Sequence, residues 1–287
     1  MKPTRVSSRA LLGAVTACAC LVAAIGACAQ EVRPSFDGDD AGSDGGGFSS
    51  NGSSGTPPPQ AGEVYGHSDG SLYRVDTRTR EITEISTFQG CAHVADIALD
   101  QRSTIYASTG AELYLIEAAS GRCSRVAQGK FPNSLSFVPA GVLDATEEVL
   151  VGFEGGDYVR VDVASGKVTK VGQLGGGFQS SGDMVTAKDG KGYVTVKGPG
   201  CADCLVQVDP KTGALVKNLG PLGHTDVFGV AFWGGELYGF TNDGSVLLIE
   251  LTGDVAKVTE LPFAGKPAGL QFRGAGSTTS APLGPVR

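Results

Sequence analysis

Past residue 62 the hydrophobic and polar positions of this chain fall into a repeat. Five segments share a run of apolar positions closed by an acid: Leu72-Tyr-Arg-Val-Asp76, Leu113-Tyr-Leu-Ile-Glu117, Tyr158-Val-Arg-Val-Asp162, Leu205-Val-Gln-Val-Asp209 and Val246-Leu-Leu-Ile-Glu250. The acids are spaced 41, 45, 47 and 41 residues apart, the period of a unit of four short strands. A turn follows each acid: Ala118-Ala-Ser-Gly121, Val163-Ala-Ser-Gly166 and Pro210-Lys-Thr-Gly213, with Thr77-Arg-Thr-Arg80 and Leu251-Thr-Gly253 as looser versions. The acid accepts backbone N–H groups at the start of such a turn and glycine takes a positive φ at its end, so each turn joins two antiparallel strands. A β-like run follows, such as Ile82-Thr-Glu-Ile85 or Val168-Thr-Lys-Val171, and another precedes, such as Ile105-Tyr-Ala107.

The remaining strand of each unit is Asp96-Ile-Ala-Leu99, Ser134-Leu-Ser-Phe137, Asp183-Met-Val-Thr186, Gly229-Val-Ala-Phe232 and Gly269-Leu-Gln-Phe272. Its small residues suit the crowded axis of a ring. The first unit starts at Val64 without such a strand before it, and the last of these strands has nothing after it. Pairing the two ends closes the sheet and removes an open edge. The expected fold is therefore all-β: a five-bladed β-propeller of four-stranded antiparallel blades, closed by a C-terminal strand joining the first blade. A sixth blade would have to come from 139–148, where the spacing is stretched. The repeats resemble the degenerate units of YVTN and quinoprotein-like propellers over 63–273, a resemblance that implies fold more than activity.

Composition sharpens this picture. With 44 glycines and 18% charged residues in 287, the chain is suited to many tight turns. Lys2, Arg5 and Arg9 precede an uncharged apolar run from Ala10 to Ala27, the n-region and h-region of an export signal. The run ends Leu21-Val-Ala-Ala-Ile-Gly-Ala-Cys28, which resembles the lipobox of bacterial lipoproteins, with Cys28 as the lipidated residue. Val15-Thr-Ala-Cys18 is a weaker match, and cleavage near Ala27-Cys28-Ala29 or an uncleaved membrane helix are the other readings. The resemblance implies a signal peptide over 1–27, an anchor in the cell envelope and, because Ala29 rather than Asp follows the Cys, the outer membrane. Residues 28–62 then form a Gly/Ser/Asp/Pro tether, and 274–287, poor in apolar residues, a free tail. The formal charge is −7, and loss of the signal's three cations makes it more negative. Such a surface repels phosphate backbones, so nucleic acid is not an expected partner.

On the face that gathers the blade-to-blade links and the loops after each second strand, the sequence places His67, Asp69, His93, Asp96, Glu154, Asp157, Asp183, Lys197, His224, Asp226, Asn242 and Asp243. That set could hold a divalent metal or a polar ligand; it equally reads as a solvated surface. The matching repeat positions of Asp96 and Asp183 suggest a structural bond to backbone. The seven tyrosines fall in second and third strands and are committed to packing. Cys201-Ala-Asp-Cys204 lies in a loop where a disulfide would brace a hairpin. Cys91 and Cys123 are a pair by elimination, although the strand map sets them towards opposite ends of their blade. No Gly-x-Ser-x-Gly, His-Glu-x-x-His or Gly-x-x-x-x-Gly-Lys-Ser/Thr motif is present. The expectation is a monomeric, membrane-anchored module that binds a protein, glycan or small ligand, with no cofactor assigned; the alternative is a metal-dependent hydrolase or lactonase with its site at the channel mouth.

Overall fold

The computed structural model describes residues 64–286. The expected signal, Cys28 and the tether lie outside the described residues. Local turn chemistry builds the hairpins. Asp76 Oδ1 accepts the N–H groups of Arg78 and Thr79, both at 2.9 Å, and Asp162 does the same for Ala164 and Ser165. Those donors hold the Asp162 carboxyl below the usual carboxylate range. The turn ends in a glycine at positive φ, 70° at Gly121. A Cβ there would stand 1.9 Å from the carbonyl oxygen of Thr87 in the preceding blade. One residue thus both closes a hairpin and lets two blades touch.

Blade 1 contains β1 (Val64–His67), β2 (Ser71–Asp76) and β3 (Glu81–Thr87); blade 2 runs through β4 (Asp96–Leu99), β5 (Ile105–Ser108), β6 (Glu112–Glu117) and β7 (Arg122–Gln128). Blade 3 is β8 (Ser134–Val138), β9 (Val149–Glu154), β10 (Asp157–Val161) and β11 (Val168–Gln173). Blade 4 is β12 (Gln179–Thr186), β13 (Gly192–Gly198), β14 (Cys201–Val208) and β15 (Leu215–Pro221). Blade 5 is β16 (Val227–Trp233), β17 (Glu236–Thr241), β18 (Val246–Thr252) and β19 (Val255–Leu261), and β20 (Gly274–Ser277) returns to pair with β1. Every pairing is antiparallel, in five sheets of four strands. The protein is a five-bladed β-propeller. The stretched segment at 139–148 is the loop between β8 and β9, so no sixth blade exists among the described residues.

Apolar residues sit between blades. Each of the five blade-to-blade interfaces holds one buried cluster, for example Tyr65, Leu72, Ile97, Leu99 and Ile105 between blades 1 and 2. Inner and second strands are covered on both faces, as in β8, which is buried throughout, and so read as nearly continuous apolar runs. Outer strands are exposed or only half-buried, as in β7.

Closure differs in detail from the sequence expectation. The strand that completes blade 1 is Gly274–Ser277, four residues of the supposed free tail, and not Gly269–Phe272. Leu270 and Phe272 have the right alternation, but they fill the cluster between blades 5 and 1. The axis instead takes Gly-Ala-Gly-Ser because a Cβ on Gly276 would stand 2.6 Å from Leu99 Cδ1. The rest of the tail is also held. Thr278 Oγ1 donates to Asp100 O at 2.6 Å, Ser280 Oγ to Gln101 O at 3.2 Å and Thr279 Oγ1 to Glu148, while Ala281 is buried against blades 4 and 5. Small polar residues, read as a mark of freedom, are here the ones that fit against backbone.

Both disulfides are present: Cys201–Cys204, which falls within the start of β14 and not in a loop, and Cys91–Cys123 with Cα atoms 5.7 Å apart. The second pair does not lie at opposite ends of a blade. The link after β3 runs beside the start of β7, where Gln89 N–H donates to Gly121 O and Cys123 N–H to Gln89 O, both at 2.8 Å. That contact carries Cys91 to Cys123.

Truncation after Arg273 removes β20 and leaves the inner edge of β1 unpaired. The shortened chain is expected to lose its cooperative thermal transition and aggregate. Removal of Pro285–Arg287 alone should shift Tm by no more than about 2 °C. Circular dichroism melts of the two truncations check this.

Candidate functional site

Each inner strand pairs by one edge with its blade and turns the other to the channel. At one level of the ring stand Asp96, Ser134, Asp183, Gly229 and Gly274, the first residues of equivalent segments of the five inner strands. The N–H groups of the residues that follow need acceptors, and two carboxylates provide them. Asp96 accepts from Ile97 (Oδ1, 2.8 Å) and from Leu135 of the next blade (Oδ2, 2.6 Å). Asp183 accepts from Met184 (Oδ1, 2.5 Å), from Val230 of the next blade (Oδ2, 2.8 Å) and from Ala275. Five blades are thus tied by two acids, both fully buried. Burial drives both carboxyls well above the usual range, with the neighbouring carboxylate adding to the rise at Asp96.

His67, at the end of β1, lies beside this pair and is also fully buried. Its Nδ1–H donates to Ser68 O at 3.0 Å, and Nε2 stands 4.0 Å from Asp96 Oδ1 without a hydrogen-bond partner. Burial lowers its pKa to about 4, so the ring is neutral. Gly274 passes between them: a Cβ there would lie 2.4 Å from Asp96 Oδ1 and 2.5 Å from His67 Nε2. Only a residue without a side chain lets β20 pass this close to both groups.

Of the other expected site residues, four acids pair with bases. Asp69 meets Arg273 at 3.1 Å, Asp157 meets Lys170 at 2.7 Å, Lys197 meets Asp226 at 3.6 Å, and Glu154 pairs with Lys130. Asp243 accepts from the Thr241 hydroxyl and from Ser245 N–H, and Asn242 N–H donates to Asp226 O at 2.9 Å. His93 is exposed and His224 half-buried in their links. His93 and Asp226 both hold positive φ, 55° and 56°, three residues before the same ring position, so the two links share one bend. The three histidines do not converge, and among the described residues no three His, Cys, Asp or Glu side chains are grouped so as to hold a metal ion.

Several residues escaped the sequence reading. Asp203, between the two cysteines at the start of β14, is 3% exposed. It accepts from Ser181 Oγ (2.6 Å) and from Asp226 N–H (2.6 Å), and burial raises its pKa. It pins the β13–β14 hairpin to the link before blade 5. Beside it lies a cleft of about 470 Å3 lined by Lys197, Cys201, Ala202, Asp203, Thr225 and Asp226. Asn133, Phe228 and Arg273 stand one residue before the ring position along the chain. Counting back by that same offset from Asp96 and Asp183 was the signal that would have found them.

No protein-family model matches this sequence, and no curated protein does. Solved structures are similar at low identity. One chain in the crystal structure of a nidogen/laminin complex is 12% identical, with 77% of this chain and 99% of that chain covered and a TM-score of 0.49. A protein of unknown function from Bacteroides caccae is 16% identical over 74% and 77% of the two chains, with a TM-score of 0.41. BamB from Moraxella catarrhalis is 12% identical over 70% and 71%, with a TM-score of 0.35. The five-bladed ring rests on the strand pairings above, not on these likenesses.

Gly274→Ala should be among the costliest small substitutions in the chain. The added methyl meets two fully buried polar atoms, and the expected loss is about 2–4 kcal/mol of unfolding free energy. Urea melts read it directly, and a loss under about 0.5 kcal/mol would show that the ring has room at this level.

Proposed function

We propose that this chain is a lipid-anchored, non-catalytic binding module of the cell envelope, tethered through Cys28 and presenting its loop-rich face to a protein or small ligand. The observation that supports it most is the state of the ionisable groups on that face. The rim acids Asp69, Glu154, Asp157 and Asp226 are matched with bases, Asp243 accepts from Thr241 and Ser245, and the acid pair in the channel is buried and spent on backbone N–H groups. A general acid, base or nucleophile needs access to its substrate and a proton to move. The cleft between blades 4 and 5 offers a shaped, polar surface with one rim braced by Cys201–Cys204. We read the repeats as degenerate YVTN or quinoprotein-like units, and the lipobox-like run as the address to the outer membrane.

Two measurements test the two halves of this reading. Purified full-length protein in detergent is expected to show no turnover of lactones, esters or glycosides above background. Turnover abolished by His67→Ala, His93→Ala or His224→Ala would make the protein an enzyme instead. In cells fed a labelled fatty acid, the protein should carry the label and fractionate with membranes, and Cys28→Ser should lose both properties. Label retained by the Ser variant would move the anchor elsewhere.

A further inference from the structure

Of the four rim pairs, one does not close. Lys197 Nζ and Asp226 Oδ1 stand 3.6 Å apart, each side chain about half exposed, whereas every other Lys or Arg pair with a carboxylate among the described residues closes to 3.1 Å or less. At 3.6 Å no hydrogen bond joins the two, so both charged ends keep capacity for a ligand. The Asp226 carboxylate is held in place through its backbone. Its φ is 56°, its N–H donates to Asp203 Oδ2 at 2.6 Å and its carbonyl accepts Asn242 N–H at 2.9 Å. Asp203 is buried and accepts the Ser181 hydroxyl at 2.6 Å. Lys197 comes from β13, where it pairs with Gln179 of β12, and the Cys201–Cys204 bond fixes the start of β14 beside it.

Both charges line the cleft of about 470 Å3 between blades 4 and 5, with Thr225 and Ala202 in the same wall. That volume is in the range of small-molecule sites. A lone anion drawn to Lys197 would meet Asp226 and Asp203, and a lone cation drawn to Asp226 would meet the Lys197 ammonium. Each is repelled by one side of the cleft. A ligand that carries both signs close together is repelled by neither.

We propose that this cleft binds the zwitterionic head of a free α-amino acid, with its ammonium on Asp226 and its carboxylate on Lys197. An α-amino acid carries the two groups on one carbon, so it can lie across the open pair and make four charges alternate, each contact a charge-assisted hydrogen bond. The Thr225 hydroxyl offers a further donor or acceptor to the same head. Because Asp226 is already fixed by Asp203 and Asn242, little ordering of the acid end is left to oppose binding. The half exposure of both side chains makes the affinity salt-sensitive. This names a ligand for the binding module proposed above and rests on that reading.

The test is a calorimetric or NMR titration of the full-length protein in detergent with L-alanine up to about 10 mM. Saturable binding is expected, weakened at least about tenfold by Lys197→Gln and by Asp226→Asn. Both variants should fold, since Lys197 is half exposed and Asn tolerates the positive φ at position 226. N-acetyl-L-alanine lacks the ammonium, L-alanine methyl ester lacks the carboxylate, and 4-aminobutanoate carries the two too far apart. Each should bind at least about tenfold more weakly than L-alanine. No saturable binding of L-alanine, binding unchanged in either variant, or any of the three analogues binding as tightly as L-alanine overturns the site. If a variant does not fold, the analogue series on the wild type decides alone by the same criterion. Loss of the site leaves the binding-module reading standing, because that reading fails by turnover or by loss of the Cys28 anchor and not by the absence of this ligand.

Discussion

Closing a wheel of β-sheets leaves one problem that side-chain packing does not solve. Every inner strand turns an edge towards the axis, and the N–H groups on that edge have no strand to bond. Each left unsatisfied would cost about 1–3 kcal/mol, and five at one level would consume most of a domain's net stability. Asp96 and Asp183 remove that cost at the loop-face end of the channel. Lower down, hydroxyls do the same work: Ser136 Oγ accepts Thr186 N–H and Ser277 Oγ accepts Phe232 N–H, each at 3.0 Å. The axis is a column of backbone donors met by a few chosen side chains.

Much else follows from that column. Because the acids must reach a neighbouring blade, the inner strands have to approach closely, and Gly274 and Gly276 on β20 are the residues that permit it. Close inner strands bring the sheet faces together, and the five inter-blade clusters fill what lies between them. At the outer rim the same approach recurs at Gly121 against Thr87 and at Gly166 against the Ala127 side chain. The repeat thus spends glycine at two radii, once where the backbone edges meet at the axis and once where a turn seats on the preceding blade.

The sequence reveals the parts of this that are local. A period in the forties, acids opening turns and glycines closing them are written within single blades, and so blade number and hairpin positions could be read directly. What joins one blade to another was harder to see. Asp96 and Asp183 were recognisable as equivalent positions, but their acceptor roles reach Leu135 and Val230 some forty residues on. The closing strand was misplaced because Gly269-Leu-Gln-Phe272 and Gly274-Ala-Gly-Ser277 both fit an inner-strand pattern. Only the crowding beside Leu99, His67 and Asp96 separates them. The histidines misled for a related reason: His67 falls in a loop-proximal position by count, yet its ring is turned into the blade 1–blade 2 boundary and fully buried.

The unevenness of the repeats has a physical basis in the number five. A carboxylate has two oxygens and at this level serves its own strand and the next, so one acid covers two blades and two acids cover four. The fifth donor, Ala275 on β20, falls to an acid that already has two partners. An Asp at all five positions would set five buried carboxyls around one axis, and an Asp at none would leave every donor bare. The observed series of Asp, Ser, Asp, Gly and Gly avoids both extremes, with glycine at blade 5, where a Cβ would meet the β20 backbone, and at blade 1, where it would meet Asp96 and His67. Degeneracy among these repeats is therefore part of how an odd ring satisfies its own axis, and a more regular sequence would not have closed as well.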